Sequence, residues 1–270
     1  MEYRALEISR RPAALRVLLN RPEQGNGINA TLLREMHAVL DTAESDPTLR
    51  MVVLEAAGPV FCSGMDFADV AGGEETGARD GEQAAEGGRA FYGLLRRFTT
   101  TRRIIVSVVD GRVTGGGVGL VAAGDFVYAS ERSSFALPEA LWGLLPCSVA
   151  PFLIRRVGFQ PAYAMTLSTL PVMAGRAAGT GLVDEVTDDP EPLLRRLASR
   201  LTKIDDGVIG DGKRYFGRLW PAVEESEETA VEEFARLMAS PAVRDRIAGF
   251  ARHRRMPWEA PRVTADRLRA

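Results

Sequence analysis

Met51-Val52-Val53-Leu54-Glu55-Ala56 opens with four consecutive apolar residues and is closed by Gly58-Pro59, the pattern of a buried strand ended by a turn. Upstream, Thr31 to Ala43 places Leu32, Leu33, Met36, Val39 and Leu40 at helical spacing. Further upstream, Ala13-Ala14-Leu15-Arg16-Val17-Leu18-Leu19 reads as another strand, ended by Asn20-Arg21-Pro22. Strand, helix and strand at this length predict parallel pairing with a crossover helix, hence an α/β fold. Downstream, Ile104-Ile105-Val106-Ser107-Val108-Val109 and Phe126-Val127-Tyr128-Ala129 continue the strand series. Between them Thr114-Gly115-Gly116-Gly117 opens a helix of small apolar residues, Val118, Leu120, Val121, Ala122 and Ala123. Residues 68–90 are polar and glycine-rich (Gly72-Gly73-Glu74-Glu75, Asp80-Gly81-Glu82, Glu86-Gly87-Gly88) and predict a mobile loop leading into a helix near Arg89. Beyond residue 200 the pattern is helical, with Ala222 to Met238 as one helix and Pro241 restarting a second. The chain therefore divides into an α/β core over 1–200 and a helical region over 201–270 that packs on the core or on a neighbouring subunit.

Composition narrows the chemistry. The 270 residues are 46% apolar and 26% charged, with 34 basic and 36 acidic side chains, so there is no basic footprint for nucleic acid. Asp125 interrupts the best apolar run, which predicts no membrane span, and residues 1–20 lack a signal-type apolar run, which predicts a cytoplasmic protein. Two cysteines, Cys62 and Cys147, make neither a disulfide framework nor a four-ligand zinc site. Two histidines, His37 and His253, leave little for a metal centre or a Ser-His triad. Lysine occurs only at Lys203 and Lys213, which restricts any lysine-dependent mechanism to those positions.

Two segments present backbone N–H groups in a way that serves an anion. Phe61-Cys62-Ser63-Gly64-Met65-Asp66 follows a buried strand and turns at Gly64. Gly115-Gly116-Gly117 sits at a helix start, where N–H groups are unpaired and the dipole favours negative charge. The spacing is not the Gly-x-Gly-x-x-Gly of a dinucleotide site, so no nucleotide cofactor is expected.

Taken jointly, these segments with Asn20-Arg21-Pro22, Asn26-Gly27-Ile28-Asn29, Asp125, Phe135-x-x-Pro138-Glu139, Gly143-Leu144-x-Pro146 and Gly181-Leu182-Val183-Asp184 resemble the crotonase (enoyl-CoA hydratase/isomerase) superfamily over roughly residues 3–200. The resemblance implies a spiral of ββα units, a C-terminal helical trimerisation region, self-association as a homotrimer or hexamer, and an acyl-thioester substrate carried on phosphopantetheine without any other cofactor or metal. It places the oxyanion hole at the N–H groups of Met65 and Gly116 and the substrate against Gly27, Ser63, Gly64 and Gly117. Two such donors in a dry pocket lower the barrier to enolate formation by roughly 3–4 kcal/mol each.

The acid–base groups depart from a typical hydratase. The family's first glutamate position is Gly119 here, whereas its second matches Glu139. One carboxylate still suffices to abstract an α-proton or return one. Gly116-Gly117-Val118-Gly119, Ser134-Phe135-x-Leu137-x-Glu139, Trp142-Gly143-Leu144-Leu145-Pro146-Cys147 and Pro151 to Gln160 resemble the crotonase-type dehydratases of polyketide β-branching. That resemblance implies a hydro-lyase converting 3-hydroxy-3-methylglutaryl-acyl carrier protein to the 3-methylglutaconyl thioester. A CoA-level enoyl-CoA hydratase or isomerase is an alternative, and so is the partner decarboxylase, although residues 67–91 contain no lysine of the kind that enzyme uses. Tyr92 and Asp66 are secondary candidates, the first as a donor to the leaving oxygen or a plain amphipathic tyrosine, the second as a helix cap beside the oxyanion donor. Cys62 and Cys147 read as pocket-lining hydrophobes, and His37 and His253 as solvated. Arg96, Arg97, Arg102 and Arg103 read either as a carrier-protein contact or as a solvated face.

Overall fold

The structure, a computed structural model, describes residues 3–67, 79–253 and 256–259. Strand β1 (Leu6–Arg11) pairs antiparallel with β2 (Ala14–Leu19) through a tight turn at Ala13. Helix α1 (Ala30–Ser45) then crosses back to β3 (Met51–Ala56), which runs parallel to β2 with Val17 opposite Leu54. Its start is fixed by Asn29, whose side-chain oxygen accepts the N–H of Leu32 at 3.0 Å. The buried face of α1 (Leu32, Leu33, Met36, Val39, Leu40, Ala43) carries the expected apolar stripe. It also buries Glu35, whose carboxylate accepts the backbone N–H groups of Arg4 and Ala5.

From β3 onward each long strand is followed by a short one. β3 leads to β4 (Val60–Cys62) and, past the undescribed residues 68–78, to α2 (Arg79–Thr100). β5 (Ile104–Val109) leads to β6 (Arg112–Thr114) and α3 (Gly116–Ala123); β7 (Phe126–Ala129) leads to β8 (Ser134–Ala136) and α4 (Glu139–Trp142). This threefold strand–strand–helix order is the expected spiral. Helices α5 (Ala150–Val157), α6 (Phe159–Ser168), α7 (Ala174–Gly179) and α8 (Glu191–Leu201) follow, with β9 (Val172–Met173) and β10 (Glu185–Val186) between them. The long strands form one sheet in the order β1-β2-β3-β5-β7-β10, parallel except for β1, and the short ones form a second, β4-β6-β8-β9. In the large sheet, Val52 and Leu54 face the main core under α1, whereas Met51 and Val53 face Leu194 and Leu201 of α8 on the opposite side.

The glycine-rich stretch corrects one expectation. Part of the loop anticipated over 68–90 lies outside the described residues, but from Arg79 the chain is helical, ten residues before the expected start at Arg89. Burial of Tyr92, Leu94, Leu95 and Phe98 on one side of α2 outweighs the helix cost of Gly87 and Gly88. A Cβ at Gly88 would stand in ordinary contact with the ring of Phe234, at 3.4 Å, so packing does not require glycine there.

Past residue 200 the helices are α9 (Asp206–Leu219), α10 (Ala222–Glu225), α11 (Glu227–Met238) and α12 (Pro241–His253). The single helix expected over 222–238 is thus broken at Ser226, whose hydroxyl donates to the carbonyl of Ala222. These helices pack on their own chain. The Lys213 side chain of α9, 8% exposed, pairs with Asp125 at 2.6 Å and donates to the carbonyls of Phe98 and Arg103, while Val223 and Ala230 join the main core.

Candidate active site

The strands β4, β6 and β8 are parallel neighbours, and the chemistry sits just beyond the carboxyl end of each. β4 runs into Ser63-Gly64-Met65, β6 into Gly115-Gly116, and β8 into Pro138-Glu139. Adjacent strands lie about 4.8 Å apart, so residues distant in sequence arrive side by side at one sheet end, the usual place for ligands on parallel strands.

Gly64 takes φ +86°, a conformation that costs a side-chain-bearing residue dearly. The same glycine lets two backbones touch, because a Cβ at Gly64 would stand 3.0 Å from both the amide nitrogen of Gly116 and the carbonyl oxygen of Thr114. The following segment is held to Ile28 by a parallel bridge in which Ile28 N–H donates to Gly64 and Asp66 N–H donates to Ile28. Since successive N–H groups of an extended segment alternate in direction, the Met65 N–H points away from Ile28. Gly116 begins α3, and a first-turn N–H has no partner within its helix. Thr114 ties the two segments further by donating its hydroxyl to Ser63 O at 3.0 Å.

Glu139 is the first residue of α4, and its carboxyl lies beside Gly115. Its Oε1 lies 3.3 Å from the position a Cβ of Gly115 would occupy. Its Oε2 is inaccessible and has no hydrogen-bond partner, so burial pushes the carboxyl up to about 7 against a weak opposing bond from its own backbone. A carboxylate poised near neutrality beside preorganised amides is suited to moving a proton α to a carbonyl.

The other expected positions divide. Asp66 forms an ion pair with Arg21 at 2.9 Å, and Arg21 also donates to Gly27 O at 3.1 Å, so Arg21 braces the Ser63-Gly64-Met65 segment. Gly27 packs its α-carbon against Asp66, with 3.1 Å from a would-be Cβ to Cβ. Ser63 is exposed and accepts the Thr114 bond. Gly117 is a packing position, since a Cβ there would meet the Cys62 carbonyl at 2.6 Å; its α-carbon faces β4.

Tyr92 is corrected. It is fully buried, packs on Phe152 at 5.1 Å, and its hydroxyl donates to the carbonyl of Val223, so that group is not offered to a leaving oxygen. The preceding residue, Phe91, reaches the site instead, with its ring 3.3 Å from a would-be Cβ of Gly116; Ile28 approaches the same point at 2.9 Å. Phe91 did not stand out in the sequence, and Ile28 was noted only as part of Asn26-Gly27-Ile28-Asn29. At Gly119 the space for a side chain is closed by Leu95 and Val149 at 3.1 Å and Phe91 at 3.3 Å. An apolar wall therefore stands where the family resemblance has its first glutamate.

Cys62 is buried and Cys147 half-buried, both with thiols pushed up to about 12 by burial, as packing cysteines rather than nucleophiles. His37 is not solvated: it is half-buried, desolvation and then the adjacent Arg97 lower its pKa, and Arg97 donates to its carbonyl. The His253 side chain lies outside the described residues. The arginine cluster is also corrected. Arg103 is buried and donates to the carbonyls of Ala43, Glu44 and Asp46 and to Asp206. Arg97 pairs with Asp41 and Glu44, and Arg96 with Glu227. Among the described residues no group of three His, Cys, Asp or Glu could hold a metal, and no helix is long and apolar enough to cross a membrane.

Comparison with known proteins agrees with this fold. The family model of enoyl-CoA hydratase/isomerase matches residues 10–260. The bacillaene synthase dehydratase PksH of Bacillus subtilis is 32% identical over 95% of this chain and 97% of its own. The mevalonyl-coenzyme A hydratase sidH of Aspergillus fumigatus is 30% identical over 93% of each chain. The crystal structure of the Bacillus subtilis pksH product superposes with a TM-score of 0.84 at 30% identity, covering 93% of this chain and 98% of that one.

Proposed function

The chain belongs to the enoyl-CoA hydratase/isomerase family, and from that premise we propose that it is a hydro-lyase that dehydrates a 3-hydroxy-3-methylglutaryl thioester on an acyl carrier protein to the 3-methylglutaconyl thioester. The observation that carries this reading is the lone buried carboxyl of Glu139 set beside the Gly115-Gly116 backbone, with Oε2 unpartnered. Two relatives support the substrate class. One is named a bacillaene synthase dehydratase, and the other a mevalonyl-coenzyme A hydratase, and the β-carbon of a mevalonyl group also bears both hydroxyl and methyl groups.

In the proposed reaction the thioester carbonyl oxygen accepts the N–H groups of Met65 and Gly116. Glu139, as carboxylate, takes the α-proton, and the electrons of that C–H bond move into the enolate, whose charge rests on the two amides. Re-formation of the carbonyl expels the β-hydroxyl, which leaves as water with the proton returned by Glu139. No metal or redox group enters this scheme. The apolar wall of Phe91, Leu95 and Val149 provides dry surface for the β-methyl group. The acyl carrier protein is the proposed partner, and the chain is proposed to self-associate as a homotrimer or hexamer.

The test presents 3-hydroxy-3-methylglutaryl thioesters on carrier protein and on CoA and follows the acyl mass. Loss of one water, faster on the carrier, is expected. Hydration of crotonyl-CoA without reaction of the branched thioester would establish a CoA-level hydratase instead, and loss of carbon dioxide from 3-methylglutaconyl thioester would establish the decarboxylase.

A further inference from the structure

Glu139 sits on a helix of four residues, too short to hold its own geometry, so something outside the turn must fix the carboxyl relative to the oxyanion donors. Part of that fixing comes, beside contacts from α6 and residues 257–259, from the C-terminal helix α12. Its residues Val243, Ile247 and Phe250 recur at helical spacing and form a cluster with Trp142 and Leu144 from the Glu139 turn and with Met65 and Phe67 from the oxyanion segment. Three rings from three segments meet edge to face: Phe67 on Trp142 at 4.9 Å, Trp142 on Phe250 at 5.2 Å, and Phe67 on Phe250 at 6.1 Å. Phe67 lies two residues past Met65, and Trp142 three past Glu139. A single ring on α12 thus touches both halves of the site at their nearest anchor points.

The same helix makes one polar contact with the turn. Arg246 donates to the carbonyl of Trp142, the last residue of α4, at 3.1 Å. The guanidinium reaches it through the gap left by Gly143, where a Cβ would stand 2.5 Å from the Arg246 nitrogen. A cation on the carboxyl end of α4 also complements the helix dipole.

We infer that Phe250 and Arg246 are positioning residues that hold the Glu139 turn in register with the Met65 amide, making α12 a structural part of the catalytic apparatus. Neither residue needs to touch the substrate. The inference rests on the dehydratase reading for its turnover assay, and a second readout separates the two.

The test uses the full chain and five variants: Phe250→Ala, Phe250→Leu, Arg246→Ala, the double variant Arg246→Ala with Phe250→Ala and, as a control, Leu194→Ala, buried under the opposite face of the large sheet. Turnover is measured on the branched thioester, and the oxyanion hole is read from the red shift that carbonyl polarisation gives bound dimethylaminocinnamoyl-CoA. Phe250→Ala should lower kcat about 10- to 100-fold with KM changed by less than about threefold, the scale set by a small misplacement of reacting groups. It should also reduce the red shift, while Phe250→Leu restores part of both and Leu194→Ala changes neither. Arg246→Ala should act in the same direction and be less than additive with Phe250→Ala, because both act on one turn. Folded Phe250→Ala protein with unchanged kcat and red shift, or a loss wholly in KM, would overturn the inference. A wild-type protein that shifts the probe but dehydrates nothing would sink the substrate reading alone, and the positioning claim would then be decided by the red shift in the variants.

Discussion

At the scale of single residues the account turns on the ionisation of Glu139. With its pKa near 7, the carboxylate needed to take a proton forms only as pH rises through neutrality. The kcat/KM profile of the wild type should therefore climb to a plateau above about pH 7. Glu139→Gln should lose about 10²- to 10⁴-fold in kcat, the usual share of a general base. The same shift has a stability consequence. A carboxyl whose folded pKa is raised from 4.5 to about 7 binds its proton more tightly in the folded state, so its contribution is fully present below pH 4.5 and is lost as pH rises toward 7. Urea unfolding should show Glu139→Gln more stable than wild type at pH 8, by on the order of 3 kcal/mol, with the difference vanishing below pH 4.5. Glu139 was legible in the sequence through the motif Phe135-x-x-Pro138-Glu139, which carries part of the family resemblance. Tyr92 was not, because neighbouring helix positions differ by about 100° and only the side that buries Phe91 on Gly116 decides which ring reaches the site.

At the scale of elements, three short parallel strands bring Met65, Gly116 and Glu139 together. The glycines between them are fixed by contact. Gly64→Ala would place a methyl group 3.0 Å from the Gly116 nitrogen in a left-handed conformation; it should cost about 1–2 kcal/mol of stability from backbone strain alone. It should also lower kcat about 10²- to 10³-fold by disturbing an oxyanion donor, as measured at saturating substrate. Gly119→Glu should not create hydratase activity toward crotonyl-CoA, because Leu95, Val149 and Phe91 already fill that space; thermal unfolding should instead show a destabilised protein. The long strands were legible from continuous apolar runs at 51–56, 104–109 and 126–129, all of which have the expected bounds. The small sheet was not, since strands of two or three residues carry no periodicity. Strand β1 was hidden for a different reason: its burial pattern alternates only weakly before turning polar at Arg10 and Arg11.

At the scale of the whole molecule, two surfaces read differently once folded. Arg96, Arg97, Arg102 and Arg103 are close in sequence, yet three of the four make ion pairs within the chain, so the arginine cluster supplies no ready carrier-protein patch. Sequence adjacency at a helix end says little about direction. Phe159, Tyr163, Leu167 and Leu170, by contrast, form an exposed apolar stripe on α6 and its exit, with Phe159 and Tyr163 stacked at 5.5 Å. Such a stripe favours the proposed self-association, and sedimentation of Leu167→Glu should show smaller particles than wild type. The dehydration chemistry is tested by mass analysis of 3-hydroxy-3-methylglutaryl-acyl carrier protein incubated with wild type and with folded Glu139→Gln. The account predicts loss of one water with the wild type and an unchanged acyl group with the variant. Equal dehydration by both proteins would contradict it.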